Sequence, residues 1–271
     1  MSDVALPTPS WFVGCGNMAG AMVEGWRAAG LDLGGVTAIR PSGREVPGVR
    51  TLRDLPDDGA TPKWVMLGFK PQKLDEVVPG LAPKLGRETV LVSLLAGVEA
   101  ATLARRFPGV AAIVRAMPNL PVSERRGVIA LYSEAADASK RAQVGALIGL
   151  LGLASWVDTE AEFGAIGAIA GSGPAYVARM VEALAKAGVA KGLAPDLASA
   201  IALATAGGTA ALAEASGESM AALANRVASP NGTTEAGLAV LDGDHALDGL
   251  IGRVIDAATA RGAELAAAAR G

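Results

Sequence analysis

Gly14, Gly16 and Ala19 form a GxGxxA pattern set directly after the apolar run WFV at 11–13 and directly before a stretch in which Met18, Met22 and Trp26 recur on one helical face. A strand has to end there, the chain has to turn tightly, and a helix has to begin at once. In such a context Gly14 permits the turn, Gly16 lets a pyrophosphate approach the backbone, and Ala19 is small enough for helix to lie against sheet. The N-terminus of that helix presents unpaired N–H groups to phosphate charge. The plainer alternative is a glycine turn in an α/β domain that holds no nucleotide.

The rest of the first half continues the same alternation. Short apolar runs at Val36–Ile39, Trp64–Leu67, Val90–Leu95, Ala112–Ala116 and Val128–Tyr132 are separated by helix-like segments, two of them placed at Gln72–Leu85 and Glu99–Phe107. This is the βαβ pattern of a mostly parallel sheet, with Ala154–Val157 as its last short strand. From Asp158 onward the strand signal stops, and Ala-rich sequence of helical period takes over. The expected fold is therefore an α/β N-terminal Rossmann domain over residues 1–157 and an all-α C-terminal domain over 158–271. Its helices carry too little polar surface to face only water, which predicts a homodimer built through them.

Composition narrows the function classes. With 24 Lys plus Arg against 27 Asp plus Glu, the chain has no overall basic field, so nucleic acid is not an expected partner. One cysteine, Cys15, and one histidine, His245, leave no cysteine-rich zinc site, restrict histidine chemistry, and fit a reducing compartment; no metal is expected. The first ten residues show no export signal, so the cytoplasm is the expected location. The uncharged stretches 163–178 and 197–213 are rich in Gly, Ala, Ser and Thr, which points to helices packed closely within protein and not to a membrane partner.

Loops that follow strands are where doubly wound sheets bind ligands. Arg40, Ser42 and Arg44 stand at the end of the second strand, where an acidic residue would favour a free ribose hydroxyl; the basic loop predicts NADP over NAD, with Arg40 either on the adenine or paired with the ribose phosphate and Ser42 donating its hydroxyl, against the plainer reading of a solvated basic loop, which suits Arg44 best. GFKPQ at 68–72 and LLAGV at 94–98 end the next strands. Lys70 reads equally as a cofactor contact or a solvated lysine, and the small residues of LLAGV read as a nicotinamide platform or a plain turn. RAMPNLP at 115–121 places Met117 and Asn119 toward the nicotinamide and its substrate.

In the helical half, GSGPAY at 171–176 reads as a helix start, with Ser172 as cap and Pro174 in the first turn. VASPNGTTEAGL at 227–238 is sharper. Ser229, Pro230, Asn231 and Gly232 form a turn, and Thr233 and Thr234 open the next helix with hydroxyls and free N–H groups. A nest for a small carboxylate and a helix cap both fit that chemistry.

Taken together, FVGCGNMAGAM, FKPQ, VSLLAGV, VRAMPNLP, AGSGPAY and VASPNGTTEAGL make the chain resemble pyrroline-5-carboxylate reductases along nearly its whole length. The resemblance implies reduction of a cyclic imine to L-proline, the last step of proline biosynthesis, by hydride from NADPH, with NADH also possible. It implies a Rossmann domain followed by a helical domain that dimerises by interleaving, with dimers often assembled into larger rings. By motif, Thr234 corresponds to the threonine that hydrogen-bonds the substrate nitrogen, and Ser229, Gly232 and Thr233 to the loop around the carboxylate. The cofactor positions become Gly14, Cys15, Gly16, Asn17, Met18 and Ala19, then Arg40 and Ser42, then Gly68, Phe69, Lys70 and Pro71, then Leu95, Ala96 and Gly97; Met117 and Asn119 join the substrate side. Asn231 stands where the family commonly has glycine, Ala228 where threonine is frequent, and Leu120 where threonine follows MPN.

Two other classes bear on the same residues. β-Hydroxyacid dehydrogenases share the two-domain layout but need a lysine after a Gly-rich helix start, where GSGPAYVARM offers only Arg179. A non-catalytic dinucleotide-binding regulator would keep the glycine loop and have no use for the Ser229–Thr234 turn.

Overall fold

The computed structural model of the chain describes residues 4–270. Its elements run β1 (Ser10–Val13), α1 (Asn17–Ala28), β2 (Val36–Ile39), β3 (Arg50–Leu52), β4 (Trp64–Leu67), α2 (Leu74–Leu81), β5 (Val90–Ser93), α3 (Ala100–Arg106), β6 (Ala112–Pro118), β7 (Gly127–Tyr132), α4 (Ala138–Gly149), β8 (Gly152–Trp156), α5 (Glu160–Ile166), α6 (Gly173–Ala190), α7 (Pro195–Ser216), α8 (Met220–Val227), α9 (Thr233–Asp242) and α10 (Ala246–Arg270). A π-helical turn, Gly167–Gly171, follows α5.

The strands form one sheet in the order β3-β2-β1-β4-β5-β6-β7-β8. Every adjacent pair is parallel except β6 and β7. The exception has a local cause: only a single 3-10 turn, Leu120–Glu124, joins β6 to β7, and a parallel return needs a crossover of a dozen or more residues. Strands buried on both faces read as continuous apolar runs, and their alternation sorts them between two cores. Phe12, Trp64, Met66 and Val92 pack with Met22 and Trp26 of α1 and Leu147 of α4 on one face; Trp11, Val13, Val65, Leu67 and Leu91 pack with Leu74 and Leu81 of α2 and Leu103 of α3 on the other.

Two elements escape the apolar pattern. β3 is a short polar edge strand, RTL, and α4 carries its buried Val144, Leu147 and Ile148 among glycines, with Asp137 capping it by accepting from the Lys140 N–H. The expected helix over Gln72–Leu85 is shorter in its α-helical part, since 3-10 turns at Pro71–Lys73 and Ala82–Lys84 flank α2. Proline at 71 and 83 lacks the N–H that a longer α-helix would use.

The chain divides into two compact units: residues through Ser172 together with those from Ala258 onward, and Gly173–Ala257. The first extends past the expected boundary at Val157, because α5 returns to the sheet and buries Phe163 with Ala100, Ala130 and Tyr132. The second unit is helical. There Gly188 of α6 lies so close to α7 that a β-carbon on it would stand 3.3 Å from the Ala198 β-carbon, the close approach that small residues permit. Few of its side chains are buried: α6 has none, α7 only Ala198 and Ala202, and α8 only Leu223. Val177, Leu184, Leu197, Leu203 and Val240 are all more than half exposed. By length and composition alone α7 could also cross a membrane.

Candidate functional site

The carboxyl ends of β1, β2, β4 and β5 lie side by side, and the chain leaves each strand in a hydrogen-bonded turn. The Gly14 N–H donates to Ile39 O at 2.9 Å, Gly68 N–H to Val13 O at 2.8 Å, and Leu94 N–H to Leu67 O at 2.9 Å. These bonds bring the 14–19, 40–44, 68–71 and 94–97 segments, all singled out by sequence, to one edge of the sheet.

Within that edge the glycines do different work. Gly14 has φ +79, and a β-carbon there would lie 2.7 Å from the Phe69 β-carbon. A β-carbon on Gly68 would sit 2.3 Å from Gly14 O. The two loops are thus in backbone contact, and both positions demand the absence of a side chain. Gly16 is different: it is exposed, and its nearest neighbour would be Gly68 O at 3.9 Å. The backbone at Gly16 is therefore open on its solvent side, which suits close approach of a pyrophosphate.

Gly16 is also the N-cap of α1, has no side-chain capping bond, and precedes a first turn without acidic residues. The helices α4, α5 and α8 cap themselves through Asp137, Thr159 and Ser219, whereas α2, α3 and α7, like α1, have no side-chain cap. An uncapped N-terminus leaves donors and positive potential for an anion. The residues fit a dinucleotide phosphate. Asn17 is exposed beside this turn, Met18 is half-buried, and Ala19 is packed at 1 % exposure under Gly68, as its size allows.

Cys15 is buried, and that burial pushes its thiol up to about 11, with the nearby Arg40 charge opposing the rise. Its contribution to the loop is backbone, not a thiolate. Ser42 is exposed and its Oγ accepts from the Arg44 N–H at 3.3 Å. Phe69 is half-buried, Lys70 exposed, and Pro71 begins the 3-10 turn. Leu95 is buried, Ala96 exposed, and Gly97 turns with φ +74.

Asn119 at the end of β6 is buried, and both ends of its amide are engaged: Oδ1 accepts from Val128 N–H at 2.8 Å and Nδ2 donates to Ala170 O at 2.9 Å. It ties β7 to the π-helical turn. Met117 lies against that same turn, since a β-carbon on Gly167 would meet the Met117 Cε at 2.5 Å. A π-helical turn is a rare feature concentrated at functional sites.

Sequence reasoning missed an ion pair in this unit. Arg115, two residues before Met117, pairs through Nη1 with Glu160 and lies 4.2 Å over the Phe163 ring. Burial holds its guanidinium below the usual arginine range, opposed by Glu160. The strand-interior position of an arginine was the available signal.

In the second unit the Ser229–Thr234 turn has the expected form. Asn231 adopts φ +57, the left-handed region that asparagine tolerates, and its N–H donates to Glu235 Oε2 at 2.6 Å. The Gly232 N–H donates to Ser229 O at 2.9 Å, and a β-carbon on Gly232 would strike Ser229 Oγ at 2.4 Å. Gly232 caps α9 without a side-chain bond. Ser229 and Thr233 are exposed and Thr234 half-buried, so hydroxyls and helix N–H groups share one small surface. His245 is exposed in a 3-10 turn.

Residues 160–265 match the family described as pyrroline-5-carboxylate reductase dimerisation. The pyrroline-5-carboxylate reductase of Pseudomonas aeruginosa is 36% identical over 262 residues, covering 94% of this chain and 96% of that protein. Among solved structures, a pyrroline-5-carboxylate reductase from Coxiella burnetii superposes with TM-score 0.88 at 31% identity, covering 96% of this chain and 99% of that one. The Plasmodium falciparum pyrroline carboxylate reductase with NADP bound shares the fold, at TM-score 0.83 and 22% identity over 98% of this chain and 99% of that one.

Proposed function

The chain belongs to the pyrroline-5-carboxylate reductase family, and from that premise we propose which of its residues carry the reaction. The enzyme is an NAD(P)H-dependent oxidoreductase that reduces the carbon–nitrogen double bond of 1-pyrroline-5-carboxylate, giving L-proline. The observation that carries the assignment of residues is the pair of glycine-capped helix starts, Gly16 before α1 and Gly232 before α9, each without a side-chain capping bond.

The first of these grips the cofactor. The backbone of Gly14–Ala19 faces the pyrophosphate, Arg40 and Ser42 face the adenosine ribose, and the Gly68–Pro71 and Leu95–Gly97 turns flank the nicotinamide. When bound, the reduced nicotinamide supplies hydride. Asn119 ties β7 to the π-helical turn against which Met117 lies, and its second amide N–H is left to donate to the substrate.

The second grips the substrate. Ser229, Thr233 and the free N–H groups at the start of α9 hold the carboxylate. The Thr234 hydroxyl hydrogen-bonds the ring nitrogen, accepting from its N–H once the imine is protonated, and fixes the face presented for attack. A cyclic imine is basic enough to be partly protonated near neutral pH, so no strong acid is required, and among these residues none is provided.

The test is oxidation of NADPH on adding pyrroline-5-carboxylate, comparing wild type with Thr234→Ala. Loss of roughly a hundredfold in kcat, with NADPH binding unchanged, is expected for a lost positioning contact on the ring nitrogen; undiminished kcat removes Thr234 from the mechanism. A β-hydroxyacid dehydrogenase or a non-catalytic regulator would leave NADPH untouched in this assay. The dimerisation-family match and the uncovered apolar helices make the assembly a homodimer. Assembly of dimers into a larger ring and a cytoplasmic location belong to the same proposal; sedimentation and cell fractionation test them.

A further inference from the structure

Four arginines lie on the turn that follows β2 and on the edge strand beside it. Arg40 and Arg44 lie in the turn, Arg50 opens β3, and Arg53 follows its end. Among the described residues none of the four enters an ion pair; Glu45 and Asp54, adjacent in sequence, are exposed and pair with none of them.

Register separates the four. Thr37 pairs with Arg50 and Ile39 with Leu52, so Arg50 stands well down the sheet from the ligand edge. The Arg40 N–H donates to Leu52 O at 2.8 Å, which puts Arg53 level with Arg40 at the carboxyl end of the strands. Its guanidinium reaches across to the turn. A β-carbon on Gly43, which has φ +66, would lie 2.8 Å from Arg53 Nε and 3.0 Å from Arg53 Nη2. Gly43 in turn is fixed by its N–H to Arg40 O bond at 2.8 Å. Arg40, Ser42 and Arg53 thus come to one turn from two strands. Ser42 accepts from a backbone N–H and keeps its hydroxyl proton to donate.

We propose that Arg53, at the end of the edge strand β3, is a specificity-determining residue that pairs with the 2′-phosphate of NADPH and so sets preference for NADPH over NADH. The inference rests on the cofactor assignment above and names a residue outside the basic loop that the sequence marks. A guanidinium fork matches a phosphate monoester and finds no such group on NADH.

The test is calorimetric titration of the purified enzyme with NADP+, NAD+ and 2′,5′-ADP, for wild type, Arg53→Ala and Arg53→Lys, with circular dichroism melts to establish folding. Arg53→Ala is expected to raise the Kd for NADP+ and for 2′,5′-ADP about tenfold, the loss of one charge-assisted contact, while the Kd for NAD+ stays the same. Arg53→Lys falls in between. A folded Arg53→Ala with unchanged NADP+ affinity, or one that loses NADP+ and NAD+ equally, overturns the proposal. Wild type that binds neither dinucleotide would overturn the cofactor assignment itself, and this proposal with it.

Discussion

Arg115 of β6 and Glu160 of α5 form an ion pair, its guanidinium buried and its carboxylate partly exposed, although 45 residues separate them in sequence. The second Glu160 oxygen accepts from the Ala100 N–H at 3.0 Å, so one carboxylate joins the sheet to the starts of α3 and α5. Glu160→Ala would take away the carboxylate bonded to a guanidinium at 8% side-chain exposure and leave it only the more distant Glu99 charge. A loss of about 3 kcal/mol in unfolding free energy is expected, read by urea denaturation. A loss below about 1 kcal/mol, the range of surface pairs, would show that solvent already screens the pair.

Cys15 gives the enzyme an alkaline sensitivity. Its folded thiol titrates at about 11 against 9.0 for an ordinary one, with burial as the larger cause and Arg40 opposing. The unfolded chain therefore loses this proton first, and stability from this group is full below 9.0 and falls as pH rises toward 11, by at most ~1.4 kcal/mol per pH unit. Cys15→Ala should flatten that part of the stability curve measured by denaturant at stepped pH. A slope identical to wild type would assign the sensitivity to other groups.

Gly14 and Gly16 should fail differently. Alanine at 14 meets both a positive φ and the Phe69 backbone, and is expected to cost about 1–3 kcal/mol of stability. Alanine at 16 has room within the protein, so its melting temperature should stay close to wild type while NADPH binding weakens. Equal stability losses at the two positions would contradict the reading of Gly16 as a ligand-approach position.

The exposed apolar side chains of the second unit should be covered in the homodimer. Leu203 is 66% exposed on α7 and Val240 75% on α9. Leu203→Asp and Val240→Asp are expected to shift analytical ultracentrifugation profiles from dimer to monomer, because each would place an unpaired charge in an apolar interface. Dimers of unchanged affinity would put these faces outside the interface. Partition of the wild-type chain into vesicles would instead make lipid their cover.

The glycine turn before α1 was legible because its determinants are local. The turn at Gly14, the small Ala19 and the face of Met22 and Trp26 lie within one strand, turn and helix, where spacing and backbone sterics act directly. Asn231 was legible for the same reason: a tight turn before α9 needs a left-handed residue, and φ +57 supplies it. The strands announced themselves as apolar runs, whereas β3 did not, since an edge strand keeps polar residues.

What stayed hidden depends on partners far apart in the chain. Asn119 reads in sequence as a residue turned toward ligand, yet its amide is held by Val128 and Ala170, two backbone groups placed there by the β6–β7 reversal and the π-helical turn. Arg53 reads as one more exposed cation until the parallel register of β2 and β3 lays it against Gly43.

The order of residues by itself settled the alternation of strands and helices, the glycine turn that opens α1 and the threonine-bearing turn that opens α9, because each is decided by short-range sterics and hydrogen bonding. Only the folded chain decided which charges meet and which amides are already satisfied. Those outcomes follow from strand order and register, and these are set by burial of whole faces and not by any stretch of neighbouring residues.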